Sequence, residues 1–445
     1  VSFGIVTLAA LLALAAAATV TLRGVGAPEE LLRVPKLGFA LRLHVDGLTS
    51  VFLVLAAVVS VAASLHSVRY LEHYPRESAA RYYPNLLLFL GAMYGLVSTT
   101  DMMWFFFIFW QLMTFPGYAL IRYERHEPTH RAAAGRYLLM MQVACLATML
   151  GAELLVLITE PVATPDLRYD FATLSAGLPT ALRDHSAVCH AAFGLFLVGF
   201  GIKAGMWPFG QFWLPDAHPA APSPVSALLS GVMIKTGVYG IIRYFLGMVP
   251  WDARGLFPLG DWGALLALLG TATLFTGTLQ ALHQEQSKRL LAFSSIGQVG
   301  YILLGVGTAM SLLADPTPAR TAIAGAALVG ALFHVLNHGL LKSLLFLNAG
   351  SILRVTGTQD LNRMGGLLNV MPLTGLTAAV AALGISGVPL LNGFASKWLL
   401  VGSTIAPATG EPWLPVCGAV AFLTSALTLA VFVKFFGTSF LSTPA

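Results

Sequence analysis

Runs of roughly 20 apolar residues, the length a helix needs to cross a bilayer, follow one another along almost the whole 445-residue chain. In hydrocarbon every backbone N–H and C=O must find a partner within the protein, so such runs fold as helices packed on one another. They fall at 1–22, 48–70, 82–99, 101–121, 132–157, 188–207, 222–247, 260–282, 290–313, 322–352, 370–404 and 413–436. The fold class this predicts is an all-α polytopic membrane protein of about twelve transmembrane helices. Charged residues make up only 10% of the chain, against about 25% in soluble domains. The two sizeable polar connections, 23–47 and 158–187, are too short to be separate globular domains.

The formal charge of +5 comes from loop Lys and Arg beside few acids. It forms no dense basic cluster, so no nucleic-acid partner is expected. Cys145, Cys189 and Cys417 stand apart in apolar surroundings without CxxC spacing, and read as small core residues rather than metal ligands. The first 22 residues lack a basic n-region and run longer than a signal h-region, which makes them a retained transmembrane helix. The chain opens on Val and enters that helix at once, so an upstream segment or a non-standard start codon is expected.

Orientation follows from short loops. Arg69, Arg76 and Arg81 crowd one connection, Arg122, Arg125 and Arg131 another, then Lys288–Arg289, then Arg354 and Arg363. With the amino terminus in the cytoplasm, all four groups fall on the cytoplasmic side of a multi-pass cell (inner) membrane protein.

Two helices read as interrupted. After Lys203 the segment GFGIKAGMWPFGQFWLPDAHPAAPSPVSALL crowds Pro208, Pro215, Pro219, Pro222 and Pro224 together. In LGISGVPLLNGFASKWLL, Gly387, Pro389 and Gly393 precede Lys397. Proline removes one helical hydrogen bond and blocks another, so both helices should break, near mid-membrane, at Pro208 and at Gly387–Pro389. Two breaks five helices apart, each beside a Lys, read as halves of an inverted repeat. The divisions expected are N-terminal helices and loop at 1–81, a first inverted repeat at 82–247, a second at 260–404 and a C-terminal helix at 413–445.

Six ionisable side chains lie inside the apolar runs: Lys203, Lys235, His334, His338, Lys342 and Lys397. A Lys at the centre of a membrane helix costs roughly 2.5–3.5 kcal/mol on insertion scales, and such residues mark ion or proton paths. His334, His338 and Lys342 stand at i, i+4 and i+8, one helix face over roughly 12 Å. Such a ladder can relay a proton without a free ion entering lipid. Helix packing is the alternative for the His pair and snorkelling for each Lys. Asp216 and His218, after the first break, either line a water entrance or cap a helix.

At these residues the chain resembles the antiporter-like subunits of respiratory complex I, membrane-bound hydrogenases and multisubunit cation/proton antiporters. The stretches that carry the resemblance are IKAGMWPFGQFWLPDAHPAAPSPVSALLSGVMIKTGVYGIIR, QSKRLLAFSSIGQVGYILLG, FHVLNHGLLKSLLFLNAGSI and ISGVPLLNGFASKWLL, within residues 82–437. The tail FVKFFGTSFL is most similar to the hydrogenase-4 and formate hydrogenlyase branch. The resemblance implies a fold of about fourteen helices with two inverted five-helix repeats and a broken helix in each. On that pattern the family's first and last helices are missing or lie outside this sequence. It also implies roles: Lys203 in a half-channel, Lys235 as connector, His338 and Lys342 at the centre, Lys397 at the exit.

One position departs from the family. Its first-repeat carboxylate sits in a Trp-Glu-Leu motif that here reads Trp110-Gln111-Leu112. Gln hydrogen-bonds but carries no charge, so it cannot form the ion pair expected with Lys203. Glu153 is a substitute, but near the outer surface.

The reading favoured is a proton-conducting subunit of a larger energy-coupling membrane complex. The chain shows no cysteine cluster, haem-ligand pair or nucleotide loop, so no cofactor is assigned. The expected partners are other membrane subunits and a soluble or peripheral redox subunit, as in a proton-translocating oxidoreductase. The alternatives are the membrane half of an inorganic-carbon (CO2/bicarbonate) uptake complex with a soluble zinc partner, and a non-conducting structural subunit. An intramembrane enzyme using His338 as base lacks a convergent nucleophile or metal set.

Overall fold

The computed structural model describes residues 1–159, 167–406 and 410–443. From the amino terminus come α1 (Ser2–Arg23), a hairpin of β1 (Glu29–Val34) and β2 (Phe39–Leu43), α2 (Gly47–Tyr70), α3 (Ala79–Ser98), α4 (Trp104–Ile121) and α5 (Pro128–Thr159). Then follow α6 (Phe171–Asp184), α7 (Ser186–Ala204), α8 (Gly210–Ala220), α9 (Ser223–Gly247), α10 (Leu259–Leu282) and α11 (Ser287–Ala314). The chain continues through α12 (Pro318–Thr356), α13 (Pro372–Ser386), α14 (Asn392–Ile405) and α15 (Leu414–Leu441).

Among the described residues ten helices are long and apolar enough to cross a membrane, rather than about twelve. Two expected spans are not among them. α3 has the length but carries Arg81, Pro84 and Asn85 in its first turns, which dilute its apolar character. The 370–404 run divides into α13 and α14, each too short to cross alone.

Both polar connections hold more structure than expected. Residues 29–43 form the hairpin, and His44 N–H donates to Ser98 O (2.7 Å) and Thr100 N–H to Arg42 O (3.1 Å), which seats it on the α3–α4 turn. Within 158–187, of which 160–166 lie outside the described residues, α6 buries Leu174, Leu178 and Leu182 at i, i+4 and i+8. The Asp170 carboxylate accepts from Ala172 N–H (3.2 Å) and caps its first turn.

α9 and α11 are the centre: their apolar spans are wholly buried within the protein, whereas only 22% of the α1 span is. Small residues let helices approach in a membrane, where close packing replaces the hydrophobic drive. A Cβ on Gly237 of α9 would sit 2.6 Å from Ala204 N and from Phe200 O, so α7 and α9 touch backbone to backbone. That contact sets the spacing of the helices that carry Lys203 and Lys235.

α7 stops at Ala204 because Gly205 takes the left-handed conformation (φ 80°) and α8 begins at Gly210; Trp207–Pro208 is a cis peptide between them. α13 stops at Ser386 in the same way, with Gly387 at φ 84° and Leu390 at φ 74° before α14. Carbonyls freed at helix ends need donors. Trp213 Nε1 donates to Ile202 O (3.2 Å), Lys288 Nζ to Ala221 O (2.7 Å) and Lys397 Nζ to Ser386 O (3.4 Å). Two of the three donors are lysines, so interruption and buried charge are one arrangement.

Candidate functional site

All six basic side chains singled out by the sequence lie in the interior, none more than 4% exposed. Lys203, the last basic residue of α7, points its Nζ at the face of Trp110, 3.8 Å from the ring centroid, with no hydrogen-bond partner among the described residues. Lys235 lies on α9 just after a π-helical turn, Leu229–Met233, and its Nζ donates to Ser230 O. Single π-turns inside α-helices favour functional positions, because the extra residue re-aims the side chains around it.

Serines link α9 to α11. Ser230 Oγ and Ser295 Oγ lie 2.8 Å apart, and Ser295 Oγ donates to Leu291 O (2.8 Å). Lys342 Nζ donates to the same Leu291 carbonyl (3.1 Å) and to Ser294 Oγ. Polar contacts therefore run from Lys235 on α9, across α11, to Lys342 on α12, through the backbone carbonyls of Ser230 and Leu291 as well as the two hydroxyls. These serines are not legible as site residues from their types alone. Their signal is the Ser294–Ser295 pair in an apolar run, one residue of which can always be satisfied by its own helix.

The α12 ladder continues toward α14. The rings of His338 and His334 lie 6.2 Å apart at 19°. Neither ring nitrogen of His338 has a partner among the described protein groups. His334 Nδ1 lies 2.9 Å from Ser396 Oγ, and its Nε2 lies 3.2 Å from Gln298 Oε1. Ser396 adjoins Lys397, whose Nζ lies over the Tyr301 ring (4.6 Å). Gln298, Tyr301 and Ser396 are further members of the cluster that sequence reasoning missed.

Three sequence expectations change. Lys288, expected among the loop cations, is 1% exposed and holds the Ala221 carbonyl at the α8–α9 junction. Asp216 caps no helix among the described residues: it lies inside α8, between Arg136 and Arg289, each at 3.0 Å, and lines a cavity of about 380 Å³ with them, which leaves the water-entrance alternative. His218 is fully buried, stacked on Phe346 (4.6 Å, 16°), with neither ring nitrogen partnered among the described residues.

Gln111 pairs reciprocally with Gln142 of α5, at 2.9 Å and 3.0 Å, and its Nε2 also reaches Cys145 Sγ at 3.5 Å. Glu153 lies on the exposed side of α5 and accepts from Tyr169 Oη (3.0 Å). The three cysteines are free and buried. Among the described residues no group of three or more His, Cys, Asp or Glu is placed to hold a metal ion.

Helices broken beside buried lysines, around a ladder of basic groups, place the chain among polytopic membrane proteins with ionisable side chains in their interior. Residues 100–424 match the family model described as NADH:quinone oxidoreductase/Mrp antiporter, TM, and residues 32–83 match NADH-ubiquinone oxidoreductase (complex I), chain 5 N-terminus. The chain belongs to the NADH:quinone oxidoreductase/Mrp antiporter family.

It is 35% identical over 92% of its length to hydrogenase-4 component B of Escherichia coli, covering 59% of that protein. It is 32% identical over 82% of its length to one of the Na(+)/H(+) antiporter subunits of Alkalihalophilus pseudofirmus, covering 43% of it. The chain thus spans about three fifths or less of these curated relatives. In fold it matches the Mrp complex of a Dietzia species, with TM-score 0.82, 24% identity, all of this chain and 75% of that one. The archaeal membrane-bound sulfane sulfur reductase matches as well, with TM-score 0.82, 24% identity, all of this chain and 83% of that one. None of these is an inorganic-carbon transporter, and that alternative receives no support.

Proposed function

We propose that this chain is a proton-conducting subunit of a multisubunit energy-coupling membrane complex, relaying protons along Lys203, Lys235, His338, His334, Lys342 and Lys397. The observation that carries the reading is the row of buried lysines joined by polar contacts: Lys235 Nζ on Ser230 O, Ser230 Oγ on Ser295 Oγ, and Ser295 Oγ and Lys342 Nζ both on Leu291 O. The Ser230 and Ser295 hydroxyls can both donate and accept, whereas the Ser230 and Leu291 carbonyls only accept, so transfer past those two points takes an intervening water. Relatives named as a hydrogenase component and as antiporter subunits support membrane partners in one complex.

We assign the two halves to residues 82–247 and 260–404, related as inverted repeats. A cytoplasmic-membrane location and a peripheral redox subunit complete the proposal. One observation favours a second reading, a silent first half: Lys203 faces a ring where the family's carboxylate is expected. Proton flux in vesicles holding the assembled complex tests the main reading. Lys342→Met keeps the volume and removes the titratable group. Flux should be lost while the subunits stay assembled, and wild-type flux would make Lys342 a packing residue.

A further inference from the structure

Tyr70, Tyr74 and Ser223 join the arginine-rich face to the α8–α9 junction. Tyr74 lines a cavity of about 260 Å³ together with His73, Glu77, Glu124, His126 and Glu127. Its hydroxyl lies 3.3 Å from that of Tyr70, the last residue of α2, which is 1% exposed. Tyr70 Oη lies 3.1 Å from Ser223 Oγ, fully buried in the first turn of α9. Two residues before Ser223 stands Ala221, whose carbonyl accepts from Lys288 (2.7 Å). Ser226 Oγ reaches this carbonyl (3.4 Å) and donates to His218 O (2.9 Å), which places the unpartnered His218 at the same junction.

We propose that Tyr74, Tyr70 and Ser223 are a proton inlet, which carries protons from the carboxylate-lined cavity to Ser223 at the α8–α9 junction, beside the carbonyl that Lys288 holds. The proposal rests on the proton-conducting reading. Each hydroxyl takes one proton on its oxygen and gives its own to the next, so no link keeps a charge and nothing is oxidised. The Glu77 and Glu124 carboxylates line the mouth. Glu77 is partnered by Arg81 (3.5 Å) and Glu124 by His130 (3.1 Å), which keeps them ordered at the rim. The chain is sealed from lipid where three helices meet: a Cβ on Gly350 of α12 would lie 2.5 Å from Ser223 Cβ and 3.1 Å from Tyr70 Cε2.

The competing explanation is an aromatic belt at the membrane interface. Tyr74 stacks edge-on to Tyr123 (5.6 Å) and Tyr123 to Tyr82 (5.5 Å). Rings and hydroxyls are separable by Tyr→Phe exchange. The assembled complex is reconstituted in vesicles with this face on the donor side, and flux is measured for each variant. Tyr70→Phe, Tyr74→Phe and Ser223→Ala should each lower flux on the order of a hundredfold, the lower end for a positioned proton-transfer group. Because the links are in series, Tyr70→Phe with Ser223→Ala should lose no more than either alone. Tyr123→Phe, which keeps its ring in the stack, should conduct as wild type.

Wild-type flux in Tyr70→Phe and Ser223→Ala overturns the inlet, as does an equal loss in Tyr123→Phe. If Lys342→Met is silent while the tyrosine variants conduct normally, only the inlet fails and the conducting reading stands. If Lys342→Met itself conducts normally, that reading fails and takes the inlet with it.

Discussion

The Lys203 ammonium lies 3.8 Å from the centre of the Trp110 ring, while Gln111, the next residue, turns to Gln142. A desolvated cation on the face of Trp gains about 2 kcal/mol or more, above the usual worth of an exposed ion pair. The aromatic ring thus replaces part of what a carboxylate would supply, without bringing an acid into the interior.

This pairing is open to a double-mutant cycle. Trp110→Leu removes the π face and Lys203→Met the charge, and Trp110→Leu should lower the thermal stability of the solubilised protein. The Trp110→Leu cost should be smaller by about 1–2 kcal/mol in the Lys203→Met background, the coupling expected of residues in direct contact. Strict additivity would mean that the ring packs beside Lys203 without holding its charge.

Asp46, which caps the start of α2, and Arg243, near the end of α9, form a two-pronged pair at 2.6 Å and 2.9 Å that ties the two helices together. Burial opposes ionisation of Asp46, but the hydrogen bonds and charge of Arg243 outweigh it and hold the carboxyl well below the usual carboxylate range. A depressed acid contributes stability that is complete above its unfolded value, about pH 4, and fades as pH falls below it. Asp46→Asn should cost about 3 kcal/mol at neutral pH, since it leaves a partly buried guanidinium without its anion. A melting temperature unchanged by the substitution at pH 7 would rule this out.

Asp101 behaves oppositely. It is 1% exposed between α3 and α4, and burial pushes its carboxyl up to about 6, despite N–H donation from Ala40, Trp104 and Met103. A raised acid binds its proton more tightly in the folded state, so its contribution falls as pH rises from about 4 toward 6. Asp101→Asn stays neutral throughout and should flatten that part of the melting curve against pH. A slope that survives in the variant must come from another group.

Gly237 tests how tightly the lysine-bearing helices are set. Its Cβ position is 2.6 Å from backbone atoms of α7, which cannot swing aside as a side chain can. Gly237→Ala should therefore force α7 from α9 and cost about 1–3 kcal/mol, the usual range for overpacking. A neutral result in thermal unfolding would show that the two backbones have room to part.

The membrane fold is legible in the sequence because its signals are local: an apolar run, a Lys within it, a Pro–Gly cluster beside it. The chain contacts that complete the site are not local. Lys288 reads as a loop charge beside Arg289 until the fold lays the Ala221 carbonyl, 67 residues away, on its ammonium. Tyr70 and Ser223 stand 153 residues apart. Ser294 and Ser295 look like ordinary helix-packing hydroxyls, and only the crossing of α9, α11 and α12 gives them lysines to join. α6 escapes notice for a different reason: its Leu174, Leu178 and Leu182 repeat lies in a stretch whose polarity masks a helix period.

Gln111→Glu bears on the position where chain and family differ. The change removes one donor from the Gln111–Gln142 pair, leaving Gln142 Oε1 without it, at a cost of about 1–3 kcal/mol for an unmet polar group. Gln142 Nε2 still donates to the new carboxylate, which keeps that carboxylate on the α5 side. With the acid held there, Lys203 stays on Trp110, and flux against pH should follow the wild-type profile while the melting temperature falls. A displaced profile would show the carboxylate reaching Lys203 and restoring the family's ion pair. An opposite charge within about 4–6 Å typically moves such an equilibrium by one to three pH units, far outside the error of a flux titration.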